Sequence, residues 1–231
     1  MADASGRSIK SRMESLSDLI FGLALSIGAL TLIGTAPANF QSLLLSIVYF
    51  AFSFLILISV WRIYSSTMSD MHIETRRDVN LNIVLLFLVS IEPFLFNEMF
   101  SPSIPTQNVS ILYALDIGGL FTIQAFLASS ILTEKNRPGE LLLHYRRVRN
   151  WHIIAALCFF ISALPVFWTS IPIGSEVNIH IRYLLWIAFL FLSLISRLFE
   201  KKDFNLSGGS IPSRSPSATP RSEACGFHRP A

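Results

Sequence analysis

The stretch RMESLSDLIFGLALSIGAL, residues 12–30, places an arginine, a glutamate and an aspartate within seven positions, directly before an apolar run. A bilayer core about 30 Å thick takes roughly 20 helical residues to cross, so this run is long enough to enter a membrane. The charges either cap an ordinary membrane helix or hold together a structure inside the membrane. Both explanations make the stretch the first helix of a membrane protein.

The composition of the whole chain is that of a membrane protein. Of its 231 residues, 52% are hydrophobic and 14% are charged, and the mean hydropathy of +0.55 is too apolar for a soluble domain. Apolar runs of roughly spanning length predict an all-α integral membrane protein with six transmembrane helices per subunit. The predicted spans are residues 16–33, 43–61, 81–96, 111–132, 151–168 and 183–198.

Lys and Arg lie almost entirely on one side of the predicted membrane. Of the 18, only Arg182 lies on the side opposite to the two termini. Because positive residues are enriched in cytoplasmic segments, both termini are predicted to be cytoplasmic in a multi-pass protein of the cell membrane. The net charge of +3 is then explained by contact with lipid headgroups of the bilayer, and no nucleic-acid partner is predicted.

Three segments are predicted along the chain: a cytoplasmic N-terminal segment (1–11), a six-helix membrane domain (12–204) and a cytoplasmic tail (205–231). The tail is rich in Ser, Pro and Gly and is predicted to be disordered. APANF, residues 36–40, weakly resembles a signal-peptide cleavage site. The length of the first run and the five similar runs after it favour a retained helix.

Motifs of enzymes and metal sites are absent from the sequence. It contains no GxxxxGK[ST], HExxH or GxSxG, and no cluster of His, Cys and carboxylates at metal-ligand spacing. The TVGYG sequence of carbonyl-type potassium filters is also absent. We therefore predict no enzyme activity, no catalytic residue, no metal site and no cofactor.

The first helix has two distinct sides when 100° is assigned to each residue. One carries stacked apolar side chains and a hydroxyl: Leu19, Leu23, Ser26 and Leu30, with Ile27 at the margin. The other side carries small residues that allow close helix packing in lipid: Gly22, Ala24, Gly28 and Ala29. The leucine stripe is either a lipid-facing surface or the wall of a pore that symmetry-related leucines gate by dewetting.

Three motifs resemble the transmembrane protein 175 family, potassium channels whose prokaryotic members have six helices per chain. RMESLSD (12–18) resembles the family's R-x-x-x-F-S-D signature, WRIY (61–64) its W-x-x-H motif, and LNIVLLFLVSIEPF (81–94) its LNLLLLFLSLLPF segment. Leu16 stands in place of the usual phenylalanine. Tyr64 stands in place of the usual histidine, which removes a group that titrates near neutral pH.

The resemblance implies a homo-oligomer, a tetramer, in which the first helix of each subunit lines a central pore. Potassium, and other monovalent cations where selectivity is weaker, would pass a hydrophobic constriction passively in a potassium-selective or potassium-preferring channel. The implied pore-lining residues are Leu19, Leu23, Ser26, Ile27 and Leu30. The implied motif and supporting network comprises Arg12, Ser17, Asp18, Trp61, Tyr64 and Asn82.

Several alternatives stay open at the level of sequence. Arg12 and Asp18 lie about 240° apart around a helix and cannot pair, so Ser17 and Asp18 either bond to the second and third helices or form a local capping box with Ser15. A secondary transporter, with intramembrane Asp116 and Glu92 as its coupling site, is a rival function. A non-conducting membrane scaffold is a third possibility.

Overall fold

A computed structural model describes residues 2–34, 40–71, 76–99, 105–134, 137–173 and 177–192. Helices account for most of these residues. In chain order the elements are α1 (Ala2–Gly34), α2 (Phe40–Asp70), α3 (Arg76–Glu98), α4 (Thr106–Thr133), α5 (Gly139–Ser162), a 3-10 turn (Pro165–Trp168), β1 (Ser170–Ile173), β2 (Val177–His180) and α6 (Ile181–Leu192). Residues 1–191 form one compact unit.

Four of the helices are long and apolar enough to cross a membrane. The candidate spans are Lys10–Leu30, Ser46–Asp70, Arg76–Glu98 and Thr106–Thr133, which correspond to the first four predicted runs. They make the chain a multi-pass membrane protein. The total of six spans stays a prediction, because α5 carries charges in its first half and α6 is described only as far as Leu192. Residues 193–198 of the sixth predicted span and the predicted tail lie outside the described residues.

The fifth predicted span, residues 151–168, is not one continuous α-helix. The α-helix ends at Ser162 and a 3-10 turn begins at Pro165. The ring of a proline disfavours helical geometry at the preceding residue, and Leu164 accordingly has extended dihedral angles. A short antiparallel hairpin of β1 and β2, which the all-α prediction did not include, then pairs Ser170 with His180 and leads into α6.

One end of the bundle gathers the polar ends of several helices. Lys10 Nζ of α1 donates to the carbonyl of Ser69 (2.7 Å), and Arg137, before α5, donates to the carbonyl of Asp70 (2.6 Å). Tyr145 of α5 also donates to the Asp70 carboxylate (2.7 Å). Burial and this bond raise the pKa of Tyr145, so it remains a protonated donor. The basic segments at the start of the chain and between α4 and α5 therefore lie at the same end.

Arg182 lies at the opposite end, where α4 begins and α5 finishes. Its side chain is fully buried and donates to the carbonyl of Ser162 (2.7 Å) and to the hydroxyl of Ser110. The guanidinium also lies over the ring of Trp168, 5.3 Å from its centroid. Because α5 connects the two ends, Lys10 and Arg137 lie at one end of the described bundle and Arg182 lies at the other.

Helix α4 lies at the centre of the fold and α1 at its edge. About two thirds of the apolar window of α4 is buried, against about a fifth for α1. Helix α4 packs against α2, α3 and α5, whereas α1 packs against α2 and α3. A helix that is apolar on all sides is expected to be buried by its neighbours. Much of the surface of α1 is left uncovered in the single chain.

Candidate functional site

The inner face of α1 follows helical periodicity closely. Ser17, Phe21, Ala24 and Gly28 are buried, which is the spacing of one continuous stripe. Phe21 packs its ring against Tyr64 of α2, with centroids 5.7 Å apart. This stripe fixes the rotation of α1 about its own axis.

Two of the four small residues expected on the packing side of α1 lie elsewhere. Ala24 and Gly28 are buried, but Gly22 and Ala29 are exposed, and no neighbouring atom lies within 4 Å of where a side chain at Gly22 would begin. At 100° per residue both positions lie about 120–140° from Ser17. The packing face is therefore narrower than the small-residue pattern predicts, and it includes the large ring of Phe21.

The outer face of α1 carries the apolar stripe. All five of the residues implied to line a pore are exposed: Leu19, Leu23, Ser26, Ile27 and Leu30. Leu23 has 57% of its surface exposed. The Ser26 hydroxyl donates to the carbonyl of Gly22 at 2.7 Å, so its proton is engaged and its lone pairs point away from the helix. Such an oxygen is able to accept a hydrogen bond or to contact a cation.

Residues of the motif connect α1 to α2 and α3. The hydroxyl oxygens of Ser17 and Tyr64 are 2.5 Å apart, and both side chains are buried. Since Ser17 donates its single proton to the carbonyl of Met13 (2.6 Å), Tyr64 is the donor in the bond between them. Buried Asn82 of α3 lies near the Tyr64 hydroxyl. Side chains of three helices therefore meet around this phenol.

Asp18 makes the second connection between α1 and α2. The indole Nε1 of Trp61 donates to Asp18 Oδ1 at 3.0 Å, at an exposed position. Arg12 is also exposed, and the hydrogen bonds found among the described residues do not include it. The structure thus brings together five of the six residues implied to form the network and leaves Arg12 apart.

The alternative interpretation of Ser15 and Asp18 as a capping box is wrong. Helix α1 begins at Ala2, so both residues lie in its interior, far from the free N–H groups of the first turn. Ser15 donates to the carbonyl of Ser11, four residues earlier, at 3.0 Å. That bond is the usual solution for a serine inside a helix.

A second polar cluster lies inside the bundle. Glu92 of α3 is fully buried and accepts hydrogen bonds from Ser53 of α2 (2.9 Å) and Tyr113 of α4 (3.1 Å). Asp116, also buried, follows Tyr113 by three residues on α4. The sequence identified both carboxyl groups but not Ser53. The only available signal was that polar residues in membrane spans tend to face the protein interior.

The described residues contain no group of three or more His, Cys, Asp and Glu side chains that could hold a metal ion. Of the cysteines, Cys158 is a free thiol on α5. What the geometry offers is a helix with one anchored face and one exposed apolar face.

A comparison with family models matches residues 12–93 to the family described as "Endosomal/lysosomal potassium channel TMEM175". The matched segment covers a little over a third of the chain and includes most of α1, α2 and most of α3. It contains the first two motifs, all but the last residue of the third, and both connections that anchor α1. No curated protein and no solved structure matches the chain. Residues 12–93 are therefore similar to this family, in agreement with the resemblance that the three motifs indicate.

Proposed function

We propose that the chain is one subunit of a potassium channel in which the exposed stripe of α1 lines a central pore. The observation that carries the proposal is the family match over residues 12–93, a segment that holds the whole of this stripe. The geometry of α1 supports it, because the stripe lies opposite the buried face and is left uncovered by the subunit's own helices. In a membrane such a surface is covered either by lipid or, as proposed here, by other copies of the same helix.

The proposed assembly is a homotetramer in the cell membrane, with both termini of each subunit in the cytoplasm. Four copies of Leu23, Ile27 and Leu30 would then face a common axis and narrow it. A constriction lined only by such side chains closes by losing its water and conducts when it is wetted. Ser26 would provide the polar step between the apolar rings, since its lone pairs point away from α1. No TVGYG filter is required, and conduction is passive.

The network behind α1 keeps the stripe directed at the axis. Ser17 and Asp18 bond to Tyr64 and Trp61 on the face turned towards α2. A helix held at two positions by buried packing and hydrogen bonds cannot rotate freely, so its opposite face has a defined direction. Weakening these bonds is expected to reduce assembly or current without changing which ion is preferred.

The experiment that tests this function is potassium flux from liposomes that contain the purified protein. We expect potassium to move down its own gradient when no sodium or proton gradient is present, and the flux to keep rising with concentration. Mass measurement of the protein in detergent should give four subunits. Flux that requires a counter-gradient, or a stable dimer as the largest species, would contradict the proposal.

A secondary transporter is the second candidate, supported by the burial of Glu92 and Asp116 inside one subunit. Ionisable residues within membrane spans often mark the path of a coupled ion. In that case transport would depend on a second ion gradient, and substitution of these residues would abolish it while changes on the α1 stripe would not. The same liposomes distinguish the two functions.

A further inference from the structure

Glu92 is placed where four helices meet. Its carboxyl group is completely buried, with Ser53 donating to Oε1 at 2.9 Å and to Oε2 at 3.2 Å. Tyr113 donates to Oε1 at 3.1 Å. The ring of Tyr113 in turn packs against Trp186 of α6, with centroids 5.2 Å apart. Through these contacts Glu92 of α3 connects α2, α4 and α6.

Asp116 faces the same interior. It lies three residues beyond Tyr113 on α4, which places the two side chains on one side of that helix. Its surface is 6% exposed, and its Oδ2 is buried and lacks a hydrogen-bond partner among the described residues. Tyr113, which donates to Glu92, therefore lies on the same side of α4 as Asp116. The unpaired oxygen thus belongs to the same buried site as Glu92.

Two negative charges at this site would be unfavourable. Taking one carboxylate out of water is unfavourable unless it is paired, and two neighbouring carboxylates repel each other. Within the described residues no Lys, Arg or His contacts Glu92 or Asp116, and the groups that do face Glu92 are the hydroxyls of Ser53 and Tyr113. Arg182, the buried cation at this end, donates instead to Ser110 and to backbone carbonyls.

We infer that Glu92 and Asp116 together form a proton-binding site that holds one proton between them at neutral pH. Hydroxyl donors already occupy both oxygens of Glu92, and one unpaired oxygen on Asp116 remains. A hard metal cation takes six or more oxygen ligands, whereas a single oxygen is enough to hold a proton. The site is separate from the exposed stripe of α1, and the inference holds for a channel and for a transporter alike.

Infrared difference spectroscopy of the purified protein in lipid tests the inference directly. Raising the pH from neutral to alkaline should remove a carboxylic-acid C=O band equivalent to one proton per subunit. The double variant Glu92→Gln, Asp116→Asn keeps the shape of both side chains and should lose this band entirely. Asp78→Asn is the matched control, because Asp78 lies on the same helix, is also buried and bonds to Ser130 (2.9 Å), yet belongs to a different site. This variant should retain the full band.

The single variants Glu92→Gln and Asp116→Asn keep the test decisive if the double variant does not fold, because Asp116→Asn alone leaves the hydrogen bonds of Glu92 in place. At least one of the two should remove or shift the band. The inference is overturned if wild-type protein has no protonated carboxyl at neutral pH, if neither single variant changes the band, or if a folded double variant keeps it. A band that disappears when sodium or potassium is added at constant pH would also overturn it, since the site would then bind a metal cation.

Discussion

Ser17→Ala gives a sharp test of how α1 is anchored. The change removes the acceptor for the Tyr64 hydroxyl, which lies 2.5 Å from Ser17 Oγ in a fully buried position. An unsatisfied buried donor costs about 1–3 kcal/mol in soluble proteins, and interhelical bonds in membranes average about 0.6 kcal/mol with a maximum near 1.7. We therefore expect a loss of about 1–2 kcal/mol in the free energy of unfolding.

Ser15→Ala is the matched control for this measurement. Ser15 and Ser17 both donate to a carbonyl four residues earlier, but Ser15 is exposed and makes no contact with Tyr64. Its removal should change the free energy of unfolding by less than about 0.5 kcal/mol. Both variants are to be unfolded reversibly in mixed micelles. Equal effects of the two substitutions would show that the contact with Tyr64 does not anchor α1.

A double-mutant cycle with Tyr64→Phe separates the pair from its surroundings. In the wild-type background this change should also destabilise the protein, because it removes the donor to Ser17. In the Ser17→Ala background, Tyr64→Phe should lower the free energy of unfolding by about 1 kcal/mol less than in the wild type, since the bond to Ser17 is already lost. If the losses in the free energy of unfolding of the two single variants add up to that of the double variant, a direct bond between the two hydroxyls is refuted.

Three further substitutions test other parts of the structure, each by thermal unfolding in detergent. Arg182→Met should lower the free energy of unfolding by about 3 kcal/mol, because Ser162 and neighbouring carbonyls lose a charged donor; an effect below about 1 kcal/mol would contradict this role. Gly118→Ala should lower the free energy of unfolding by about 1 kcal/mol, since its new methyl would lie 2.7 Å from the ring of Phe160, which is exposed enough to shift. A stabilised variant would show that this contact is not tight. Asp18→Ala should cost no more than about 1 kcal/mol because its bond is exposed; a larger loss would indicate a buried role.

The helices of the membrane domain could be predicted from the sequence because apolar runs and spanning length are local properties. The ends of these helices depend on local chemistry that hydropathy does not measure. The α-helix of the fifth predicted span ends at Ser162, shortly before Pro165, and the hairpin after it has no counterpart in an apolar run. Hydropathy likewise misses the first half of α5, whose charged residues lie in a regular helix.

The contacts of the candidate site could be predicted only in part. The motifs singled out Ser17, Tyr64 and Asn82, and the three lie together in the structure. Periodicity placed the outer face of α1 correctly but overestimated the width of the packing face. The partners of Glu92 and Arg182 could not be predicted, because they lie tens of residues away and are determined by which helices pack together.

Potassium and sodium flux through a Leu23→Ala variant tests the central claim most directly. Leu23 is 57% exposed on α1, and Leu157, 53% exposed on α5, provides a control of the same residue type and similar exposure. If α1 lines the pore, Leu23→Ala should ease wetting of the constriction, raise potassium flux and reduce the discrimination between potassium and sodium. Leu157→Ala, at equal incorporation into liposomes, should leave both fluxes unchanged. Equal fluxes for wild type and Leu23→Ala, or an equal change in both variants, would contradict a pore lined by the first helix.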